Sequence, residues 1–276
     1  MSFFIVNEQK CRRCSVCVEE CPGRLIYLDG EQDNLPRMRY HGEQDCILCG
    51  HCVAVCPFSA LNLEPLPADG FPHLSNSLKL SSFEQGEQFL KSRRSVRAYK
   101  DMPVPSDVLD RVMDVLRFAP TASHRQAVRW LLVEDPAATR HIAELVIEWM
   151  SEVRKNDPAQ AKQYRMAGLI AGWLRGRDLI LRGAPHLAVA YTDQPGRWQA
   201  TDSAIALTYL ELSAQAAGVA ACWAGFFTHA AGHYPPIKAF LGLPQDSEVH
   251  GGQMLGYARF AYSRLPWRKP LSLRKI

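Results

Sequence analysis

The sequence predicts an α+β chain built as two unequal parts joined by a linker, and three observations carry that expectation. Eight of the nine cysteines fall within the first 56 residues, in two copies of one spacing. Between Pro65 and Ser82 the composition turns rich in proline and serine, the punctuation of a join. Beyond it, apolar stripes of helical period alternate with short apolar runs of strand length. The 276 residues are 47% apolar and 22% charged. That mixture fits a globular chain and excludes collagenous, low-complexity or disordered protein.

The first element is the cysteine region. Its two copies are Cys11-x2-Cys14-x2-Cys17-x3-Cys21-Pro22 and Cys46-x2-Cys49-x2-Cys52-x3-Cys56-Pro57. Thiolates spaced this closely on a tight turn converge on one cuboidal cluster, while the fourth, stepping onto a short helix, reaches the other cluster. Two 4Fe-4S clusters with crossed ligands follow. Cys11, Cys14, Cys17 and Cys56 hold one, and Cys46, Cys49, Cys52 and Cys21 hold the second. A disulfide framework would need an oxidising compartment, for which no targeting signal is seen. Structural zinc usually pairs two short Cys-x-x-Cys knuckles. Metal also accounts for a fold of some 66 residues with little core. Residues 1–66 resemble a bacterial-type two-4Fe-4S ferredoxin module, which implies a relay of single electrons. The stretch from Gly23 to Asp45 is expected to form a hairpin through Leu25-Ile26-Tyr27-Leu28 and Arg37-Met38-Arg39-Tyr40, as a solvated insertion.

Residues 67–88 read as the linker, and residues 89–276 form a second domain of ordinary size. Within it, Ser106 is expected to cap a helix with apolar residues at 108, 109, 112, 115, 116 and 119 on one face. Val128–Glu134, Leu187–Thr192, Val219–Phe227 and Gln253–Phe260 read as buried strands. Ala138–Leu181 is helical in pattern with a break at Asp157-Pro158. Thr201–Ala217 is a helix apolar on most of its circumference and ended by Gly218. It must be central, and is a candidate for sharing with a second subunit.

Arg93-Arg94-Ser95-Val96-Arg97 gathers three guanidinium groups and a hydroxyl, and Arg264, Arg268 and Lys269 add basic groups near the end. A shared phosphate draws two such clusters together, since the arginine fork suits it. Read with Ala119-Pro120-Thr121-Ala122-Ser123-His124-Arg125-Gln126, Cys222-Trp223-Ala224-Gly225-Phe226 and Arg268-Lys269-Pro270-Leu271, the second part resembles the FMN-dependent nitroreductase family over residues 89–276. The resemblance implies a nitroreductase-like α+β domain with a central sheet flanked by helices. It implies that Arg93, Arg94, Ser95 and Arg97, with Arg268, hold the FMN phosphate and ribityl chain. Pro120, Thr121, His124 and Gln126 would contact the flavin from the partner subunit of a homodimer. The backbone at Ala224 and Gly225 would face the ring near N5. His124 stands where the family usually has asparagine, Ala127-Val128 replaces a frequent Pro-Trp, and Ala224 sits where some members have glutamate.

Cys222 lies among apolar residues and reads as a packed core thiol. Trp149, Met150 and Trp173 belong to the segment that resembles the family's variable lid, and helical spacing places them in a core. The net charge of +4 divides into −3 for residues 1–66 and +7 for the rest, too weak a balance to argue for nucleic acid or a membrane surface. With no leader and no long apolar run, the chain is expected to be cytoplasmic. The two parts together imply an enzyme in which a low-potential donor such as a ferredoxin reduces the clusters. These reduce FMN, which reduces a small acceptor of nitroaromatic, quinone or activated-alkene type. The alternatives are an electron-transfer subunit with a protein acceptor, or an NAD(P)H-driven nitroreductase whose clusters are structural or sensory. No side chain is nominated as catalytic.

Overall fold

The computed structural model describes residues 2–30, 33–66, 70–71 and 82–276. The chain separates into two compact units, one built on Met1–Lys79 with Ser123–Arg125 and the other on Leu80–Ala122 and Gln126–Ile276. Most of the segment assigned to the linker, residues 67–69 and 72–81, lies outside the described residues.

In the first unit, β1 (Phe4–Val6) pairs antiparallel with β4 (Leu61–Leu63), so the two ends of the module close on each other. The hairpin forms as β2 (Ile26–Leu28) and β3 (Pro36–Met38), with Ile26 opposite Met38. Three short helices, α1 (Val16–Glu20), α2 (Gly42–Asp45) and α3 (His51–Ala54), complete it. The core is thin. Phe4, Ile26, Leu61 and Leu63 share it with the thiols of Cys17 and Cys52.

The second unit opens with α4 (Phe83–Ser92), which starts inside the stretch assigned to the linker because Ser82 caps it, its Oγ accepting from the Gln85 N–H. A four-stranded antiparallel sheet, ordered β5 (Arg129–Val133), β6 (His186–Thr192), β8 (Glu248–Gly256), β7 (Ala220–Trp223), lies at the centre. Side chains alternate across a strand, and β6 shows the result. Leu187 and Val189 join a core formed with α6 (Pro136–Asn156), α8 (Met166–Leu174) and α10 (Gly225–Ala231). Ala188 and Ala190 join another formed with α5 (Ser106–Asp114) and α9 (Gln199–Ala216). The sheet is therefore sandwiched between helices, as expected. Two small helices, α7 (Pro158–Gln163) and α11 (Pro235–Phe240), finish the unit.

Several boundaries differ from the sequence reading. Ser106 is the first residue of α5 rather than its cap, and its hydroxyl bonds Glu134 instead. The break at Asp157 is present, its carboxylate capping α7, but regular helix stops at Leu174 instead of Leu181. The strand expected over Val219–Phe227 ends at Trp223, because Gly225-Phe226-Phe227 is the apolar first turn of α10. The last strand begins at Glu248, five residues before Gln253, and ends at Gly256. Gly251 and Gly252 lie within this strand, where a Cβ would meet Leu207 at 2.4 Å and Phe227 at 2.7 Å respectively.

Helix α9 packs Leu207, Leu210 and Ala214 inward, and the Gln253 side-chain amide donates to the Leu207 carbonyl. Thr201, Ala204 and Thr208 remain exposed along one side.

Candidate functional site

The local backbone of the two cysteine runs is the same. Arg13 and Leu48 have φ 56° and 54°, Ser15 and Gly50 have 61° and 68°, and Arg24 and Ser59 have 51° and 47°. Left-handed residues between the cysteines reverse the chain tightly, so successive thiols turn to a common side. Each run also ends alike, the Cys21 sulfur accepting from the Leu25 N–H at 3.4 Å and the Cys56 sulfur from the Ala60 N–H at 3.3 Å.

The thiols gather in two groups that cross between the runs. Cys11, Cys14, Cys17 and Cys56 line one cavity with Pro57, Phe58 and Leu61. Burial pushes the Cys17 thiol up to about 11, and the neighbours that would repel its charge are Cys56, Cys11 and Cys14. Burial likewise pushes Cys52 up to about 12, the neighbours that would repel its charge being Cys21, Cys46 and Cys49, and raises Cys46 beside Cys49 and Cys21. Desolvated thiols held close together resist ionising unless positive charge sits among them. Among the described residues no three His, Cys, Asp or Glu side chains converge tightly enough for a single metal ion. Four soft sulfurs set apart around a space suit a polynuclear iron-sulfur cube, which takes one thiolate at each of four corners.

The arginine cluster of the second unit divides. The Arg93 guanidinium donates to Glu211 Oε1 at 2.9 Å, the two side chains being 27% and 8% exposed. Burial raises the Glu211 carboxyl against the pull of Arg93. Arg94 instead stacks over the Tyr262 ring at 4.8 Å, and the two line an open pocket with Arg264, Trp267 and Arg268. That pocket has three guanidinium groups and no acid, a setting for an anion. Arg97 donates to the Ser95 carbonyl, and the Arg93 guanidinium reaches the Ser95 hydroxyl at 3.5 Å.

Thr121 and Gln126 line a different cavity, with Asp110, Met113 and Trp130. There the Thr121 hydroxyl accepts from the Gln126 N–H, and the Asp202 carboxylate accepts from the Ala122 N–H. His124 is half-buried with φ 54°, and Pro120 is exposed before the same turn. Ala224 donates its N–H to the Gly252 carbonyl, and its own carbonyl accepts from Thr228. Gly225 opens α10 at the edge of a third cavity, beside Trp223, His229 and Lys238. One chain thus brings Arg94 and Arg268 together but leaves Thr121 and Gln126 in a second cavity and Gly225 in a third.

Sequence reasoning missed Glu211 and Tyr262. Nothing in the spacing marks Glu211, which lies 118 residues from its arginine. An aromatic residue close to a basic run was the available signal for Tyr262. Cys222 is 2% exposed, and burial raises its thiol against the nearby Arg97. Trp149 and Met150 are core residues, and Trp173 packs against that core beneath Arg140.

Residues 90–257 match the model of the nitroreductase family, and residues 10–60 match the 4Fe-4S dicluster domain. Among solved structures, a nitroreductase with bound FMN from Bacteroides fragilis is 24% identical, with TM-score 0.55 over 69% of this chain and 97% of that one. Another from Desulfitobacterium hafniense, also with FMN, is 20% identical with the same TM-score and coverage. An iodotyrosine deiodinase bound to FMN and 3-iodo-L-tyrosine is 18% identical, with TM-score 0.53 over 69% and 98%. Rat iodotyrosine deiodinase 1 is 27% identical over 90 residues, which is 28% of this chain and about a third, 32%, of that relative. Among the described residues no helix is long and apolar enough to cross a membrane. The family match covers well over half of the chain, and the protein therefore belongs to the nitroreductase family, with a 4Fe-4S dicluster domain ahead of the family domain.

Proposed function

We propose that this flavin oxidoreductase passes single electrons from two 4Fe-4S clusters to FMN and on to a small acceptor of nitroaromatic, quinone or activated-alkene type. The observation that supports it best is the pair of four-thiol groups, each drawn from both cysteine runs, in a chain whose larger part is a nitroreductase domain. When bound, the clusters supply one-electron steps and FMN supplies the exchange between one- and two-electron chemistry.

Cys11, Cys14, Cys17 and Cys56 hold one cluster and Cys46, Cys49, Cys52 and Cys21 the other. The Leu25 and Ala60 amides donate to two of these sulfurs, and such donors favour the reduced, more negative state. Arg94, Arg264 and Arg268 neutralise the FMN phosphate. Arg93, Ser95 and Arg97 flank the ribityl chain, with Arg93 held in place by Glu211. Pro120, Thr121, His124 and Gln126 come from the second copy of a homodimer, which accounts for their distance from the arginine pocket within one chain. Ala224 and Gly225 present backbone to the ring edge. No side chain serves as nucleophile. A low-potential donor makes nicotinamide dispensable, and a compartment that keeps cysteines out of disulfides, as the cytoplasm does, suits the cluster ligands.

An anaerobic experiment tests the relay. Clusters reduced without nicotinamide should bleach, and flavin absorbance should then fall. Flavin that stays oxidised while the clusters turn over removes the proposal.

A further inference from the structure

The two cysteine runs are one pattern written twice, so each loop is a control for the other. Their backbones coincide, as the paired φ angles show. Their side chains do not. Aligning Cys11 with Cys46 sets Glu8-Gln9-Lys10 against Glu43-Gln44-Asp45, and Arg12-Arg13 against Ile47-Leu48. A charge is reversed at one position and two cations become aliphatic at the next two. Lys10, Arg12 and Arg13 are all exposed, and Cys14 is exposed where its counterpart Cys49 is half-buried. Arg12 and Arg13 are the charged residues lining the cavity of Cys11, Cys14, Cys17 and Cys56.

The surrounding acids reduce this asymmetry without cancelling it. Glu19, which accepts from the Ser15 hydroxyl, and Glu20 have uncharged Ala54 and Val55 opposite them, yet residues 8–24 still carry four Lys or Arg against three acids, whereas residues 43–59 carry two acids and no Lys or Arg. Glu8 has its match in Glu43, and the Asp33 carboxylate is engaged by Arg37 at 3.0 Å. Arg13 donates from Nε to the Asp33 carbonyl, which fixes the loop without consuming its charge. Arg24 of the first run has Ser59 opposite it, while His51 of the second has Val16 opposite it and lies 3.4 Å from the Glu20 carboxylate. Around the second loop, Asp45 and Glu43 are exposed, and Ile47 is 42% exposed.

Electron transfer falls steeply with distance, so an exposed ligand edge ringed by one sign of charge is where a protein carrier gains both proximity and steering. We infer that the loop Lys10–Ser15 is the electron entry port, a docking surface for a small acidic one-electron carrier protein. This rests on the cluster assignment of the proposed function. Each docking oxidises the carrier by one electron and reduces the neighbouring cluster by one. Two dockings supply the two electrons of one acceptor reduction, whose two protons come from solvent water.

The test uses the full holoprotein under anaerobic conditions, with an acidic bacterial two-4Fe-4S ferredoxin as probe. The primary readout is binding of the oxidised ferredoxin by calorimetry against salt concentration, independent of turnover. Lys10→Glu with Arg12→Glu should weaken Kd by ~10-fold or more at low salt and flatten its salt dependence. The milder Lys10→Gln with Arg12→Gln, which leaves Arg13 in place, should show a smaller shift in the same direction with full cluster absorbance. Photoreduction by neutral deazaflavin should be unchanged in both. Asp45→Lys with Ile47→Lys should not weaken binding. Unchanged ferredoxin affinity in both Lys10/Arg12 variants, or a loss confined to the Asp45/Ile47 variant, overturns the port. Clusters photoreduced in the parent protein without flavin bleaching would instead overturn the relay itself.

Discussion

The two units solve the problem of staying folded by opposite means. In the first, two of the six residues in its main buried cluster are cysteines, and the strands are three residues long. In the second, Leu187, Leu207, Leu210, Phe227, Ile237 and Leu255 are among the fully buried side chains, and both faces of the sheet are covered. Burial at about 25 cal/mol per Å² makes such a core self-sufficient, whereas a module this small needs metal to close its balance. One half is held by bonds to iron and the other by exclusion of water.

The largest effect expected from that contrast is from Cys17→Ser. The variant should lose cluster absorbance and protease resistance across residues 1–66 while the melting of the second unit is unchanged. A first unit that stays protected without iron would break the comparison. Next, Phe227→Ala should cost the second unit ~3–5 kcal/mol by urea denaturation and leave cluster absorbance intact. Full retention of stability would mean that the sheet face is not packed as described.

Arg93→Ala strands the Glu211 carboxylate. We expect a loss of ~2–3 kcal/mol, less than for a fully buried pair because Arg93 is 27% exposed. The sign of its pH dependence follows from a raised carboxyl. Stability falls as pH climbs from the unfolded value of 4.5 through the higher folded value. That slope should move to higher pH in Arg93→Ala and vanish in Glu211→Gln. Arg268→Ala should raise the FMN dissociation constant about 10-fold, from loss of one charged hydrogen bond, without moving the melting transition. Retained flavin affinity would contradict the phosphate assignment.

The smallest effect concerns acid. His186 is buried, accepting from the Val104 N–H at Nε2, so Nδ1 carries the proton donated to the Glu134 carbonyl. Burial holds it below its ordinary 6.5. The unfolded chain therefore takes up the proton first, and the second unit should lose stability as pH falls below 6.5. His250, lowered by burial too, contributes to the same loss. His186→Gln should shrink it, as read from urea midpoints at several pH values.

What was legible in the sequence follows the same division. The eight thiols sit a few residues apart within each run, so their spacing states much of their geometry, and the grouping of Cys56 with the first run's thiols and of Cys21 with the second's was readable before any coordinates. Elements of the second unit were legible where one periodicity ran unbroken, as in α9 and β6. They were misread where a strand gives way to an apolar helix at Gly225, and at the last strand, which starts at Glu248 rather than Gln253. The Arg93–Glu211 pair was invisible, because tertiary packing alone joins residues so far apart in the chain.

The left-handed residues within and just after the cysteine runs have one more implication. Arg13, Ser15, Arg24, Leu48 and Ser59 each hold a conformation that L-residues with side chains avoid, at about 1–3 kcal/mol apiece. A newly made chain therefore has no reason to keep those bends on its own. Biogenesis must supply inorganic sulfide and iron as the leading segment takes shape, and a cell starved of either should accumulate molecules with a finished rear half and a ragged front.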